Sequence, residues 1–210
     1  TAQVHAMHNL EEAEERARLA ADAVAMGTYD LSLLNQEMVT SERFANIFGF
    51  EKPVSREEYV KMLYPEDRVV RHLAHQEAIM NGVMMYEARV VWNDHSMHWI
   101  RVEGKVLYDK AGSPLRILGT VIDITSEKQD KELQKKLITL VDHSADLMSI
   151  LDLKGMNTYI NGAGLSLLGF KSMEEALTVP VSDLHPAEDL DYLNKEVLPE
   201  VMQTGHSAGD

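Results

Sequence analysis

Nine histidines, twelve methionines and no cysteine bound the chemistry open to this chain of 210 residues. Two histidine pairs at the closest spacing found are His72-Leu-Ala-His75 and His95-Ser-Met-His98. An i,i+3 pair can share a helix face, but zinc takes three or four donors and neither pair has a third nearby in sequence. Both pairs therefore read as solvated or core histidine, and no metal site is assigned. The lack of cysteine removes disulfides, thiolate catalysis, Cys-based zinc and iron–sulfur sites, and flavin photochemistry through a cysteine adduct. It also fits a reducing, cytoplasmic compartment. Gly162-Ala-Gly164 has the look of a dinucleotide turn, yet Asn157 and Asn161 interrupt the strand pattern before it and the spacing to Gly169 is wrong. The methionines read as gap fillers or as an adaptable pocket wall. No nucleophile, base and orienting group cluster in the sequence, so no catalytic residue is assigned.

Charge narrows the partners. The formal net charge is −14, which argues against nucleic-acid contact, because phosphate binding needs clustered Lys and Arg. Between 171 and 210 nine acids face two lysines, so that stretch carries −7. The uncharged stretch 156–170 contains two asparagines and three glycines and falls short of the ~20 apolar residues of a membrane helix. No membrane segment is expected here. The chain opens Thr-Ala-Gln without a leader pattern and reads as a piece of a longer protein, whose parent could be membrane-attached elsewhere.

These residues must be positioned by a duplicated unit. Residues 25–50 align without a gap on 145–170 at an offset of 120, pairing Ala25 with Ala145, Leu31 with Leu151, Gly49 with Gly169 and Phe50 with Phe170. A repeat of that length is a duplicated domain, since solenoid units run ~20–50 residues. In the first copy, Leu10, Ala13, Ala17, Ala20 and Val24 make a narrow seam on an N-terminal helix over 5–25. Strands follow over 28–33 and 37–40, and Ser41 caps a short helix carrying Phe44, Ile47 and Phe48. A second short helix covers 55–63, and Pro65 opens a longer one running to Asn81-Gly82. The period then changes to two: Met84, Tyr86, Ala88, Val90 and Trp92 are apolar on alternate positions, and strands over 97–108 and 115–124 follow with turn residues between. Thr125 or Ser126 caps a connector helix with Leu133, Leu137 and Leu140 on one seam, and Ser126 and Gln129 have capping-box spacing.

The order Gly27-Thr-Tyr-Asp30, Phe44-Ala-Asn-Ile-Phe-Gly-Phe50, Tyr64-Pro-Glu-Asp-Arg68, Tyr86-Glu-Ala-Arg89, His98-Trp-Ile100 and Gly119-Thr-Val-Ile-Asp-Ile-Thr125 resembles the PAS sensor family. Asp146-Leu-Met-Ser-Ile150, Asn161 to Phe170 and His185-Pro-Ala-Glu-Asp189 resemble the same family a second time. Two departures stand out: Asp94-His95 where the family has an Asp-Gly turn, and Tyr64 in place of histidine. The resemblance implies an α+β fold, a five-stranded antiparallel sheet with helices packed on one face, then a helical linker and an incomplete second unit. The expected divisions are a helix over 1–26, a PAS domain over 27–125, a connector over 126–144 and the front part of a second PAS domain over 145–210, its last three strands absent.

A PAS fold also implies a pocket between sheet and helices, with Ile47, Phe48, Leu63, His75, Ile79, Trp99 and Val121 as candidate lining; the alternative is that these residues simply fill the core. Asp123, Ile124 and Thr125 would transmit the signal. No cofactor is required; the family admits haem, for which His72 or His75 is the candidate ligand, or flavin. His143 is followed by Ser-Ala-Asp and no Gly-rich ATP lid is present, so this segment is not expected to be an enzyme itself. The implied function is a sensory and dimerising region of a bacterial signalling protein, most readily a histidine kinase, acting as a homodimer with a small ligand. A purely structural dimerisation module in a cyclic-dinucleotide enzyme or transcriptional regulator is the alternative.

Overall fold

The computed structural model describes residues 25–152 and 154–207. The seam of Leu10, Ala13, Ala17, Ala20 and Val24 lies outside them. The chain divides into two compact units after Asp130.

The first unit opens with β1 (Gly27–Ser32) and β2 (Met38–Thr40), followed by α1 (Glu42–Ile47) and α2 (Arg56–Met62). Ser41 and Ser55 cap the two helices, their hydroxyls accepting from the N–H groups of Phe44 and Glu58. The helix expected from Pro65 is split: Pro65–Asp67 is a 3-10 turn and α3 spans Arg68–Asn81. Gly82, at φ +77°, ends α3 by donating to the Ala78 carbonyl. Three strands follow, β3 (Val83–Val91), β4 (Met97–Tyr108) and β5 (Pro114–Asp123), all antiparallel. The sheet order is β2-β1-β5-β4-β3, so β1 lies against β5, with Gly27 opposite Val121 and Ser32 opposite Arg116.

Strand parity places the core. Met84, Tyr86, Ala88 and Val90 of β3 and Ile100, Val102 and Val106 of β4 are buried, facing Phe44, Ala45 and Ile47 of α1, Tyr59 of α2, and Ala74 and Ala78 of α3. Gly104 and Gly119 pair across β4 and β5, and a Cβ on either would come within 2.5 Å of the Tyr29 hydroxyl. The two glycines thereby leave room for the Tyr29 ring on the inner face. Trp92 falls just beyond β3, with its Nε1–H donating to the Ile47 carbonyl (3.2 Å) and its ring stacked on His98 at 3.8 Å.

Helix α4 runs from Thr125 to Asp142. Its first turn is not capped by the Ser126–Gln129 pair; the Asp123 carboxylate accepts from the Thr125 N–H at 2.8 Å. Asp123 ends β5 one residue before the turn into the helix, which puts its side chain nearer the free amide than Ser126, already inside α4.

The second unit holds a two-stranded sheet, β6 (Ser149–Leu151) and β7 (Asn157–Ile160), then α5 (Gly162–Leu168), α6 (Met173–Ala176), a 3-10 turn (Val181–Leu184), α7 (Ala187–Tyr192) and α8 (Leu198–Thr204). The repeat offset of 120 holds at the level of hydrogen bonds. Ser41 and Asn161 both cap a helix, Gly49 and Gly169 both adopt positive φ after it, and Phe50 and Phe170 both donate back to residue i−5, Ala45 and Leu165. Asn161 does not break the pattern but anchors it. Fully buried, it accepts from the N–H groups of Met148 and Gly164 and donates to the carbonyls of Val141 and Asp146. Between α7 and α8 the helix widens into a π turn over Leu193–Val197, as expected where Pro199 lacks an N–H and its ring crowds the carbonyl four residues back.

Candidate functional site

A cavity lies between the inner face of the sheet and the helices of the first unit. Its wall takes Tyr29 and Leu31 from β1, Phe44 and Phe48 from the α1 region, and Arg56, Tyr59 and Leu63 from the α2 segment. Arg71 and His75 come from α3, and Met84, Tyr86 and Val102 from β3 and β4. It is a narrow cleft of about 390 Å³ including its mouth, and it admits a water-sized body over only about 30 Å³. Aromatic rings build one side: Phe44 stacks on Phe48 at 4.9 Å, and Tyr59 meets both edge-on at 4.9 and 5.1 Å. The Tyr59 hydroxyl is held by Thr40 (3.0 Å) and accepts from the Val54 N–H (3.2 Å).

Of the residues expected to line a pocket, Phe48, Leu63 and His75 meet here. Four do not. Ile47 is buried in the core beside the cavity. Val121 is buried opposite Gly27. Ile79 is 47% exposed, because the buried stripe of α3 follows Ala74 and Ala78 and the next position turns outward. Trp99 sits at an odd position of β4, where the buried residues are even, and so lies on the opposite face with Lys128 4.9 Å from its ring centre. Sequence reasoning missed Arg56, Arg71 and the tyrosines. Strand alternation could have found Tyr86, and Arg71 shares a helix face with His75 four residues on; Arg56 carries no such mark.

The cavity is electropositive. Burial, with Arg71, Arg56 and His72 adding to it, lowers the His75 pKa to about 4, so the imidazole is neutral at pH 7. Burial and Arg71 also push Arg56 below the usual guanidinium range. Burial lifts the Tyr86 phenol to about 12, against the pull of Arg71 and Arg56.

The outer face of the same strands carries charge. Asp67, 8% exposed, accepts from the Arg89 backbone N–H (2.7 Å) and from Arg89 Nε and Nη2 (2.9 and 2.6 Å). That bidentate pair joins the Pro65-Glu-Asp turn to β3 and holds the Asp67 carboxyl below its ordinary range. The Arg89 guanidinium also lies 4.1 Å over the ring of Tyr64. Farther along, Arg101 binds Glu87 (2.9 Å) and Glu127 (3.4 Å), and Lys128 binds Glu87 (2.6 Å). The Thr125 hydroxyl accepts from the Trp99 N–H (2.9 Å), Ile124 donates to the Trp99 carbonyl (2.8 Å), and Asp123 lies 3.4 Å from His98.

The sequence family described as PAS fold matches residues 37–121, and the family described as PAS domain matches residues 135–202. Both units are PAS domains. The sensor protein FixL of Bradyrhizobium diazoefficiens is 25% identical over 182 residues, covering 83% of this chain and 36% of FixL, so the chain spans about a third of that relative. The crystal structure of a sensory box histidine kinase/response regulator from Burkholderia thailandensis is 26% identical over 58% of this chain and 94% of that one, with a TM-score of 0.51. An N-terminal domain of a diguanylate cyclase with PAS/PAC sensor from Marinobacter aquaeolei aligns at 18% identity over 49% of this chain and 98% of that one, with a TM-score of 0.44.

Some PAS domains carry haem or flavin, and the residues of this first PAS domain do not fit either group. Each needs several hundred Å³ of cleared interior, whereas Phe48, Tyr59, Arg56 and Arg71 close this cavity to about 30 Å³. His72, the other candidate haem ligand, is exposed and does not line it. Among the described residues no group of three His, Asp or Glu side chains is placed to hold a metal, and no helix is long and apolar enough to cross a membrane.

Proposed function

We propose that this chain is the sensory region of a signal-transduction protein, in which the cavity of the first PAS domain takes up a small molecule and α4 carries the change onward. The observation that supports this is the two-faced use of β3 and β4. Met84, Tyr86 and Val102 line the cavity, while Glu87, Trp99 and Arg101 on the other face engage Lys128, Thr125 and Glu127. Successive residues of a strand point to opposite faces, so displacing Tyr86 or Val102 from inside displaces Glu87 and Arg101 outside. Asp123, Ile124 and Thr125 then act as the transmitting corner, joined to β4 through Trp99 and His98.

The similarity to FixL and to the Burkholderia protein supports a sensor histidine kinase as the parent; a homodimer is proposed as its working form. The second reading, a structural PAS module that binds nothing, is favoured by one observation, the narrowness of the cavity. The two separate in a screen of small metabolites against the purified chain by NMR. A ligand that perturbs Tyr29, His75 and Tyr86 and slows amide exchange over 125–131 is the expected result. If no compound perturbs those residues, or if occupancy leaves 125–131 unchanged, the sensing reading gives way to the structural one.

A further inference from the structure

The cavity holds two arginines with no carboxylate to answer them. Among the described residues neither Arg56 nor Arg71 forms an ion pair, although both line the interior. The Arg56 Nε–H is buried and has no hydrogen-bond partner. A buried donor left unmade costs about 1–3 kcal/mol, and more when charged, so an orphan guanidinium N–H inside a cavity is a place where a ligand oxygen belongs. The surroundings add no negative charge. His75 is affected by Arg71, Arg56 and His72, all cationic or potentially so. Glu57, which acts on Arg56 through space, is exposed and already bonded to its own helix amide and to Ser55.

We infer that the first PAS domain binds a small organic carboxylate, its oxygens held by Arg56 and Arg71 and its apolar body lying against Phe44, Phe48, Leu63 and Val102. The inference rests on the sensing reading and names the ligand class for it. A guanidinium presents its donors as a planar fork that matches a carboxylate, which a point charge would not. An inorganic oxyanion would satisfy the arginines but place polar oxygen against Phe44, Phe48, Leu63 and Val102, whose side chains offer no donor. The narrow interior restricts the guest to a short chain. His75, neutral at pH 7, leaves a ring N–H free to serve as a further donor.

The test uses butyrate as the probe on the full chain, with butyramide as its neutral isostere, and inorganic phosphate and sodium chloride as anion and ionic-strength controls. Butyrate is expected to raise the unfolding midpoint by several degrees and to shift the Arg56 Nε–H resonance, while the other three do neither. Arg56→Gln and Arg71→Gln should each weaken butyrate by about tenfold or more. The wild-type Nε–H shift needs no variant, so a substitution that fails to fold leaves the test intact. Equal effects of butyramide, an equal effect of phosphate, or an unmoved Nε–H at saturating butyrate overturns the carboxylate assignment. A neutral ligand found by the screen while butyrate stays inert would remove this inference and leave the sensing cavity standing.

Discussion

His75 and Asp67 both titrate below their ordinary ranges, His75 because it is buried and Asp67 because its hydrogen bonds to Arg89 outweigh burial. In the unfolded chain His75 takes a proton near pH 6.5, whereas in the fold it resists protonation down to about pH 4. Below pH 6.5 the unfolded state therefore binds a proton that the folded state refuses, and stability falls as pH drops from 6.5 towards 4. The loss should amount to about 3 kcal/mol. Urea unfolding at neutral and acid pH should show His75→Gln flattening that slope; a variant as acid-sensitive as the parent would mean the group is not shielded. Asp67 is the converse, a carboxyl kept ionised by Arg89. Asp67→Ala removes the acceptor of the Arg89 N–H and leaves the guanidinium only Glu66 at 3.4 Å, and should cost about 3 kcal/mol, whereas Asp67→Asn, which keeps one acceptor, should cost roughly half of that. Equal losses in chemical denaturation would show that packing, not the bidentate bond, sets the effect.

Among the elements, the β3–β4 turn and the start of α4 are where local chemistry and sheet geometry meet. His95 adopts φ +67°, a left-handed conformation that strains a side chain with a Cβ. The turn closes regardless, because Asp94 accepts from the Ser96 N–H at 2.9 Å and His95 donates to the Trp92 carbonyl at 2.9 Å. His95→Gly should relieve the strain and stabilise the first unit by about 0.5 kcal/mol after the entropy lost by glycine, read as a small rise in unfolding midpoint. A fall would show that the imidazole contributes more than its backbone costs. At α4, Thr125→Val removes the acceptor for the Trp99 N–H and should cost about 1–2 kcal/mol, with faster amide exchange confined to the first turn of α4. Exchange rising uniformly along the helix would argue that Thr125 is no corner.

At the scale of the whole chain the two PAS units differ in how much sheet they hold. Residues 83–124 lie within a five-stranded sheet with alternate side chains buried, whereas β6 is exposed at every position and pairs only with β7. A two-stranded ribbon is marginal by itself. Amides of β6 and β7 should therefore exchange about tenfold faster, or more, than those of β3–β5. Equal protection would show that strands from another chain complete the second sheet.

What the sequence determined alone is what short-range rules govern. Strand alternation in β3, the Ser41 and Ser55 caps, the Gly82 stop and the repeat that sets Gly49 against Gly169 all depend on neighbours within a few residues, and each is legible in the order of side chains. The resemblance implied a five-stranded antiparallel sheet but not its β2-β1-β5-β4-β3 order, since pairing Ser32 with Arg116 crosses 84 positions that no local period reports. The cavity was decided by tertiary structure. Arg56 and Arg71 come from different helices and Tyr29 and Tyr86 from strands that are not neighbours in the sheet, while Trp99, one residue out of phase with Ile100, goes to the other face. Which side chains share a cavity depends on how the elements pack, and packing is a sum over distant partners that no single stretch of chain contains.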